Sequence, residues 1–131
     1  MSLREEVAEL LSDLYGPRGE DARCALLSMR AALPLVAEAY TREPQAARRQ
    51  AVIHCLWQYR NLAALPTLRT ALHDPADCVW KEALDGLVTL GGGAVQRVLH
   101  EEWATLAQTD KAGVKRDWIA EALAQIGAKT S

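Results

Sequence analysis

The stretch from His100 to Glu102 comes closest to a motif that could do chemistry. It begins like the His-Glu-x-x-His helix of zinc proteases, but position 104 is Ala104, so the second histidine is absent. Glu101 and Glu102 are adjacent, and neighbouring residues on a helix point apart, which hinders shared acid–base work. The sequence therefore predicts neither a catalytic pair nor a metal site at this position.

A second candidate is the glycine run from Gly91 to Gly93, because glycine-rich loops can hold phosphate groups. The run follows a helical pattern where a phosphate loop would follow a strand, and it lacks the Gly-Lys-Ser/Thr ending. His54 and His73 stand alone in the sequence, and no Ser, Cys, His or Asp has the turn context that activates a nucleophile. We predict that the chain is not an enzyme and has no catalytic residue, no cofactor and no metal ligand.

Apolar residues recur with helical spacing along the chain, most clearly from Ala63 to Gly91. Leu65, Leu68 and Leu72 lie at positions i, i+3 and i+7, which makes one apolar stripe on a first helix. We expect Asp74 to cap a second helix, which ends at the glycine run. The apolar stripe of that second helix consists of Val79, Ala83, Leu84, Leu87 and Leu90. Neither helix can bury its stripe alone, so helical pairs of this kind are expected to stack.

The same pattern occurs twice, because Ala31-Ala32-Leu33-Pro34 recurs 32 residues later as Ala63-Ala64-Leu65-Pro66. A period in the low thirties is typical of helical repeat arrays. The Leu-Pro-x-Leu opening, the Asp74-Pro75 turn and the Val, Ala, Leu and Leu-Gly spacing of the second helix resemble a HEAT-type repeat. The resemblance implies an all-α fold, a short right-handed alpha-alpha solenoid of three to four HEAT-like helical pairs.

The family resemblance also implies a polar tie between neighbouring repeats. In HEAT-type repeats an arginine after the valine of the second helix often makes this tie. The corresponding residues here are Arg48, Trp80 and Arg116. Trp80 departs from the pattern at the middle of the array.

A single domain is predicted over residues 1–131, since this length suits one hydrophobic core. Helix should exceed about two-thirds of the residues, with almost no strand. Two arrangements fit the region between residues 20 and 40: a helix that stops near Met29, or one that runs on to Tyr40 with a kink at Pro34. A polar loop is expected from Gln108 to Gly113. The repeat pairs are expected at about 2–29, 30–60, 61–91 and 93–127.

The net charge and the cysteines restrict the classes of partner and the cellular compartment that the sequence predicts. The formal net charge of −2 gives no overall attraction to nucleic acid or anionic lipid, and no apolar run approaches the roughly 18 residues of a membrane helix. Cys24, Cys55 and Cys78 lack zinc-binding spacing and are predicted to be small core residues. Because unpaired thiols persist in reducing compartments, we predict a cytoplasmic protein without membrane attachment.

A candidate partner surface lies off the apolar stripes of the second helices. With Val52 and Cys55 turned inward, the helical wheel places an exposed isoleucine and tryptophan on the opposite side. In HEAT-type arrays the second helices line the concave face, which the resemblance implies for these positions. The alternative for the tryptophan is that it packs under a neighbouring helix. These partner-binding candidates, called the ridge below, are Arg49, Ile53, Trp57, Lys81, Asp85, Asp117 and Glu121.

The predicted function is that of a non-enzymatic protein-binding module that uses the concave face. Small bacterial proteins that resemble this chain are often inhibitors or accessory partners, including immunity proteins that neutralise a toxin domain. A nucleic-acid-binding HEAT-like module is the alternative, but the net charge and the acidic ridge residues count against it. A third interpretation is a self-associating scaffold. A scaffold would be a weak homo-oligomer, whereas a protein-binding module would be a monomer.

Overall fold

A computed structural model describes residues 2–109 and 113–130 of the chain. The described residues form eight α-helices and two short 3-10 segments, and none of them lies in a strand. Helix accounts for 83% of the structure, which confirms the predicted all-α class. The helices are α1 (Leu3–Leu14), α2 (Gly19–Leu27), α3 (Leu33–Arg42), α4 (Ala46–Trp57), α5 (Leu65–Ala71), α6 (Asp77–Leu90), α7 (Gly92–Thr109) and α8 (Val114–Thr130).

The region between residues 20 and 40 contains a break. Helix α2 ends at Leu27, Met29 is extended, and a 3-10 segment (Arg30–Ala32) leads into α3. Pro34 lies in the first turn of α3, and Pro66 lies in the first turn of α5. Proline suits this place because the first helical N–H groups have no partner within the helix. Pro34 therefore begins a helix, and the kinked alternative is wrong.

The start of α6 and the end of α7 differ from the prediction, whereas α6 ends at the glycine run as predicted. Helix α6 begins at Asp77 with Ala76 at its cap, so the prediction that Asp74 caps it is wrong. The Asp74 carboxylate instead accepts the Ala76 N–H at 2.9 Å within the preceding turn. Gly91 ends α6 with a φ of 63°, as a glycine can, but α7 begins at once at Gly92. Of the loop predicted from 108 to 113, residues 110–112 lie outside the described residues, and α7 runs to Thr109.

The helices pack as consecutive pairs, with α1 against α2, α3 against α4, α5 against α6 and α7 against α8. Between pairs, α4 packs on α2 and α6, and α6 packs on α8. The even-numbered helices therefore lie next to one another in chain order. Fully buried side chains from the successive pairs form one core, and they include Val7, Leu26, Val36, Leu56, Leu68, Leu87, Leu99 and Ile126. That the pairs repeat as one solenoid stays a prediction.

The cysteines do not all lie in the core. Cys55 is buried, and burial raises the pKa of its thiol to about 11. Cys24 and Cys78 are exposed, so the prediction of a core position is wrong for both. Ala22 and Leu26 take the inward face of α2, and Cys24 lies two residues from each, on the opposite side of the helix.

Candidate functional site

Arg49, the first ridge residue, belongs to a buried ionic network. Its guanidinium donates to both carboxylate oxygens of Asp74, at 2.9 and 3.1 Å, and to the carbonyls of Glu43 and Pro44 at 3.2 and 2.8 Å. The Tyr40 hydroxyl donates to the same carboxylate at 2.7 Å. The side chains of Arg49 and Asp74 are only 16% and 3% exposed. The network joins the start of α4 to the turn before α6, so Arg49 ties two helical pairs together.

Electrostatics within this network favour the ionised Asp74 carboxylate. Burial alone would raise its pKa, but the hydrogen bonds from Arg49, the Ala76 N–H and Tyr40 outweigh burial and hold the pKa below its usual value. Burial and the Asp74 carboxylate both raise the pKa of Tyr40. The charge on Asp74 is therefore satisfied inside the protein and is not available to a partner.

Between the α3–α4 and α5–α6 pairs, Arg49 makes the ionic tie, one position after the residue that the family resemblance implies. Arg48 lies over the ring of Tyr15, 4.9 Å from its centroid. Arg116 lies 3.9 Å from the ring centroid of Trp103. Both positions thus contact aromatic rings, and Arg49 makes the ionic tie.

Ile53 is fully buried, so the expectation of an exposed isoleucine is wrong. The helical wheel assumed one buried stripe on α4, whereas α4 packs against α2, α3, α5 and α6. A helix with neighbours on several sides buries a wider face than a single apolar stripe. The buried side chains of α4 are Val52, Ile53, Cys55 and Leu56.

Trp57 is half-buried and is bound to α6. Its indole N–H donates to Glu82 at 2.8 Å, and His54 Nδ1 lies 3.1 Å from the same carboxylate oxygen. A Cβ built on Gly86 would lie 2.5 Å from the Trp57 Cγ, so the indole can cross α6 here only because residue 86 is glycine. Trp57 therefore packs against a neighbouring helix, which is the alternative that the sequence left open.

The other end of the ridge, between α6 and α8, has a different character. Trp118 on α8 is 41% exposed and meets Trp80 edge to face, with ring centroids 5.8 Å apart. Lys81 Nζ lies 4.8 Å from the Trp118 centroid and 5.6 Å from the Trp80 centroid, within the range of cation–π attraction. Trp118 was not among the predicted ridge residues. It follows Asp117 directly, so a shift of one residue in the α8 register would have included it.

A cleft of about 200 Å³ lies between α6 and α8. Asp85 and Glu121 face it from opposite helices, and within the described part of the chain neither carboxylate has an ion-pair or hydrogen-bond partner. Burial, and secondarily repulsion from Glu82, raises the pKa of Asp85. The lining residues are Leu84, Asp85, Val88, Trp118, Glu121, Ala122 and Gln125.

The structure thus brings part of the predicted ridge together and separates the rest. Lys81, Asp85 and Glu121 gather around Trp118. Asp117 is exposed but does not line the cleft. Arg49, Ile53 and Trp57 are engaged in packing between helices. The candidate site is therefore the α6–α8 cleft with Lys81 at its border.

Comparison of the chain with protein-family models, with curated proteins and with solved structures finds no match. Among the described residues, no helix is both long and apolar enough to cross a membrane. In the same part of the chain, no three His, Cys, Asp or Glu side chains are grouped so that they could hold a metal ion.

Proposed function

We propose that this protein is a non-enzymatic binding module that holds another protein at the α6–α8 cleft. The observation that carries the proposal is Trp118, an exposed indole beside a small cleft with an apolar floor and a charged border. Tryptophan is enriched among the residues that dominate binding energy, and such anchors are typically surrounded by a polar rim. Lys81, Asp85 and Glu121 supply that rim.

The α4–α6 region supports this function by keeping one wall of the cleft in place. The Arg49–Asp74 ion pair and the Trp57–Glu82 hydrogen bond fix the start and the middle of α6 against α4. A surface that is ordered before binding loses less conformational entropy when a partner arrives. Arg49 and Trp57, two of the seven ridge residues at which a partner was expected, thus act through α6, while the contact itself falls to α6 and α8.

A short HEAT-like solenoid is the architecture that we propose behind this surface. Its support is the packing of consecutive pairs, with α2, α4, α6 and α8 side by side in chain order. In such arrays the extended concave side is the usual binding surface. The role of an inhibitor or accessory partner, such as an immunity protein, remains part of the proposal through this resemblance.

The test is capture of the partner from cells that make the protein, followed by titration of the purified partner. Tagged wild-type protein and a Trp118→Ala variant are compared, and each captured protein is identified by mass spectrometry. The proposal expects at least one partner that the wild type retains and the variant loses. Direct titration should then give a Kd about 30-fold weaker for Trp118→Ala, the size of effect expected of an aromatic anchor.

Leu62→Ala is the matched control, because Leu62 is also a large exposed apolar residue, 56% exposed, in the 3-10 segment before α5. It should bind the partner as the wild type does. Partners that Trp118→Ala and the wild type retain equally would contradict the proposal. Recovery of nucleic acid in place of protein would favour the nucleic-acid alternative.

A further inference from the structure

We propose that the α6–α8 cleft receives a single basic side chain, lysine or arginine, from the partner protein. This inference rests on the proposed function, because it names the group that the binding surface takes. Three features of the cleft carry it: two carboxylates that no described residue provides with a counter-charge, an apolar floor and an aromatic wall.

The carboxylates come from facing helices, Asp85 from α6 and Glu121 from α8. The described residues offer neither of them a cation, although Lys81 lies one turn before Asp85 on the same helix. Burial and the nearby Glu82 raise the pKa of Asp85, so its ionised form lacks compensation in the free protein. An incoming cation would supply that compensation to both carboxylates.

The floor and the wall suit the rest of a basic side chain. Leu84, Val88 and Ala122 provide apolar surface along which an alkyl stem can lie while its charged end reaches the carboxylates. Trp118 offers an indole to a guanidinium or ammonium group, the ring that binds cations best. A volume of about 200 Å³ is below the roughly 300–1,000 Å³ of drug-sized ligand pockets, so the cleft fits one side chain and not a larger ligand.

Lys81 sets the direction from which the cation enters. Its ammonium lies between the rings of Trp80 and Trp118, and it lines a different cleft together with Trp80 and Lys115. Like charges repel, so a second cation is disfavoured on that side of the aromatic pair. The position left for the partner's cation is beside Asp85 and Glu121.

The experiment selects peptides from a random displayed library on the wild-type protein and removes those that also bind Trp118→Ala. Each remaining peptide is synthesised in two forms, with its arginine or with citrulline, which has nearly the same shape and no charge. A lysine is replaced by norleucine in the same way. Both forms are titrated against the wild type and against the double variant Asp85→Asn/Glu121→Gln.

The expected result is a selective loss. Removing the charge from the peptide should weaken binding to the wild type about tenfold, as for a close charge pair. The same change should cost less than about twofold on Asp85→Asn/Glu121→Gln, because the two carboxylates and the cation form one coupled unit. The matched control is Glu9→Gln/Asp13→Asn, which removes two exposed carboxylates from another groove. That groove is lined by α1, α2 and the turn after α2, and it has no tryptophan. On this control, removing the charge from the peptide should still weaken binding about tenfold.

Three results would overturn the inference. The first is a set of selected peptides that depend on Trp118 but carry no basic residue. The second is a charge effect that is equal in the wild type and in Asp85→Asn/Glu121→Gln. Either would contradict the basic side chain and leave the proposed function unaffected. A library that yields no Trp118-dependent peptide would instead remove the cleft as a peptide-binding surface, together with the inference about its occupant.

Discussion

Two tryptophans lie beside α6, and their surroundings give them opposite roles. Trp57 on α4 crosses α6 at Gly86 and donates its indole N–H to Glu82. Trp118 on α8 is 41% exposed and meets side chains that leave its outer part open to solvent. Gly86 gives the Trp57 indole room on α6 and Glu82 accepts its N–H, so this indole packs between helices. On the same helix, a lysine and a carboxylate that has no counter-charge among the described residues leave the other indole partly exposed.

The acidic residues of the two regions differ in the same way. In the α4–α6 region, hydrogen bonds hold the pKa of Asp74 below its usual value in spite of burial. In the α6–α8 region, burial and Glu82 raise the pKa of Asp85. Removing one partner of a buried ion pair destabilises a fold, whereas uncompensated charges beside a cleft are typical of functional sites. The comparison therefore predicts large losses of stability in the first region and small ones in the second.

The largest effect is expected from Asp74→Ala. The change leaves the Arg49 guanidinium and the Tyr40 hydroxyl without their acceptor in the interior. Removing one partner of a buried ion pair costs about 3–5 kcal/mol of the free energy of unfolding. Urea denaturation measures the loss, with Asp13→Ala as the control because Asp13 is exposed on α1. A loss below about 1 kcal/mol would mean that the network does not tie the pairs.

The Asp74 network also predicts a pH dependence. Because the folded pKa is lower than the usual 3.8, the carboxylate contributes stability above that value. The contribution is lost as the pH falls through the folded pKa. The wild type should therefore lose stability on acidification more steeply than Asp74→Asn, in which the side chain cannot titrate.

Trp57→Ala should come next, with a loss of roughly 3 kcal/mol from the cavity and the lost hydrogen bond to Glu82. Gly86→Ala should cost about 1–3 kcal/mol, because its methyl group would overlap the Trp57 side chain. The two changes should not be additive. In a Trp57→Ala background the methyl group has room, so Gly86→Ala should become neutral or stabilising, as alanine favours helix. Equal costs of Gly86→Ala in both backgrounds would contradict the close packing of Trp57 on α6.

The smallest effect is expected from Asp85→Asn. At neutral pH this variant should be more stable than the wild type by less than about 0.5 kcal/mol, since solvent screens the exposed carboxylate. The folded pKa is raised above the usual 3.8, so the gain should vanish below that pH, where both side chains are neutral. It should appear as the pH rises through the folded pKa. Urea denaturation at acidic and neutral pH tests this, and a less stable variant at neutral pH would show that Asp85 has a cation partner.

The helical class and the start of α5 could be predicted from the sequence. Apolar spacing of 3.6 residues is a local signal, and the proline after Leu65 marks a first turn without information from elsewhere in the chain. The start of α3 was left open because Pro34 also fitted a kink, and the predicted cap of α6 was wrong. The partners of individual side chains could not be predicted. Arg49 meets Asp74 across 25 positions of sequence, and no periodic pattern contains that contact.

The ridge was predicted only in part because a helical wheel assigns one buried stripe to each helix. That assumption fails for α4, which has neighbours on several sides and buries Ile53. It holds better for α8, where Asp117, Trp118 and Glu121 are exposed. Trp118 was missed because the α8 register was taken from the repeat spacing, in which one residue of error moves a side chain by about 100° around the helix.

The most direct test of the central claim is the partner's Kd, measured under the same conditions for Trp118→Ala and for Trp57→Phe, which keeps a ring against Gly86. We expect Trp118→Ala to weaken binding about 30-fold with only a small loss of melting temperature, because the side chain is 41% exposed. Trp57→Phe should weaken binding less than about threefold although it lowers the melting temperature. If Trp57→Phe lost binding and Trp118→Ala retained it, the binding surface would lie on α4, which would contradict the proposed site.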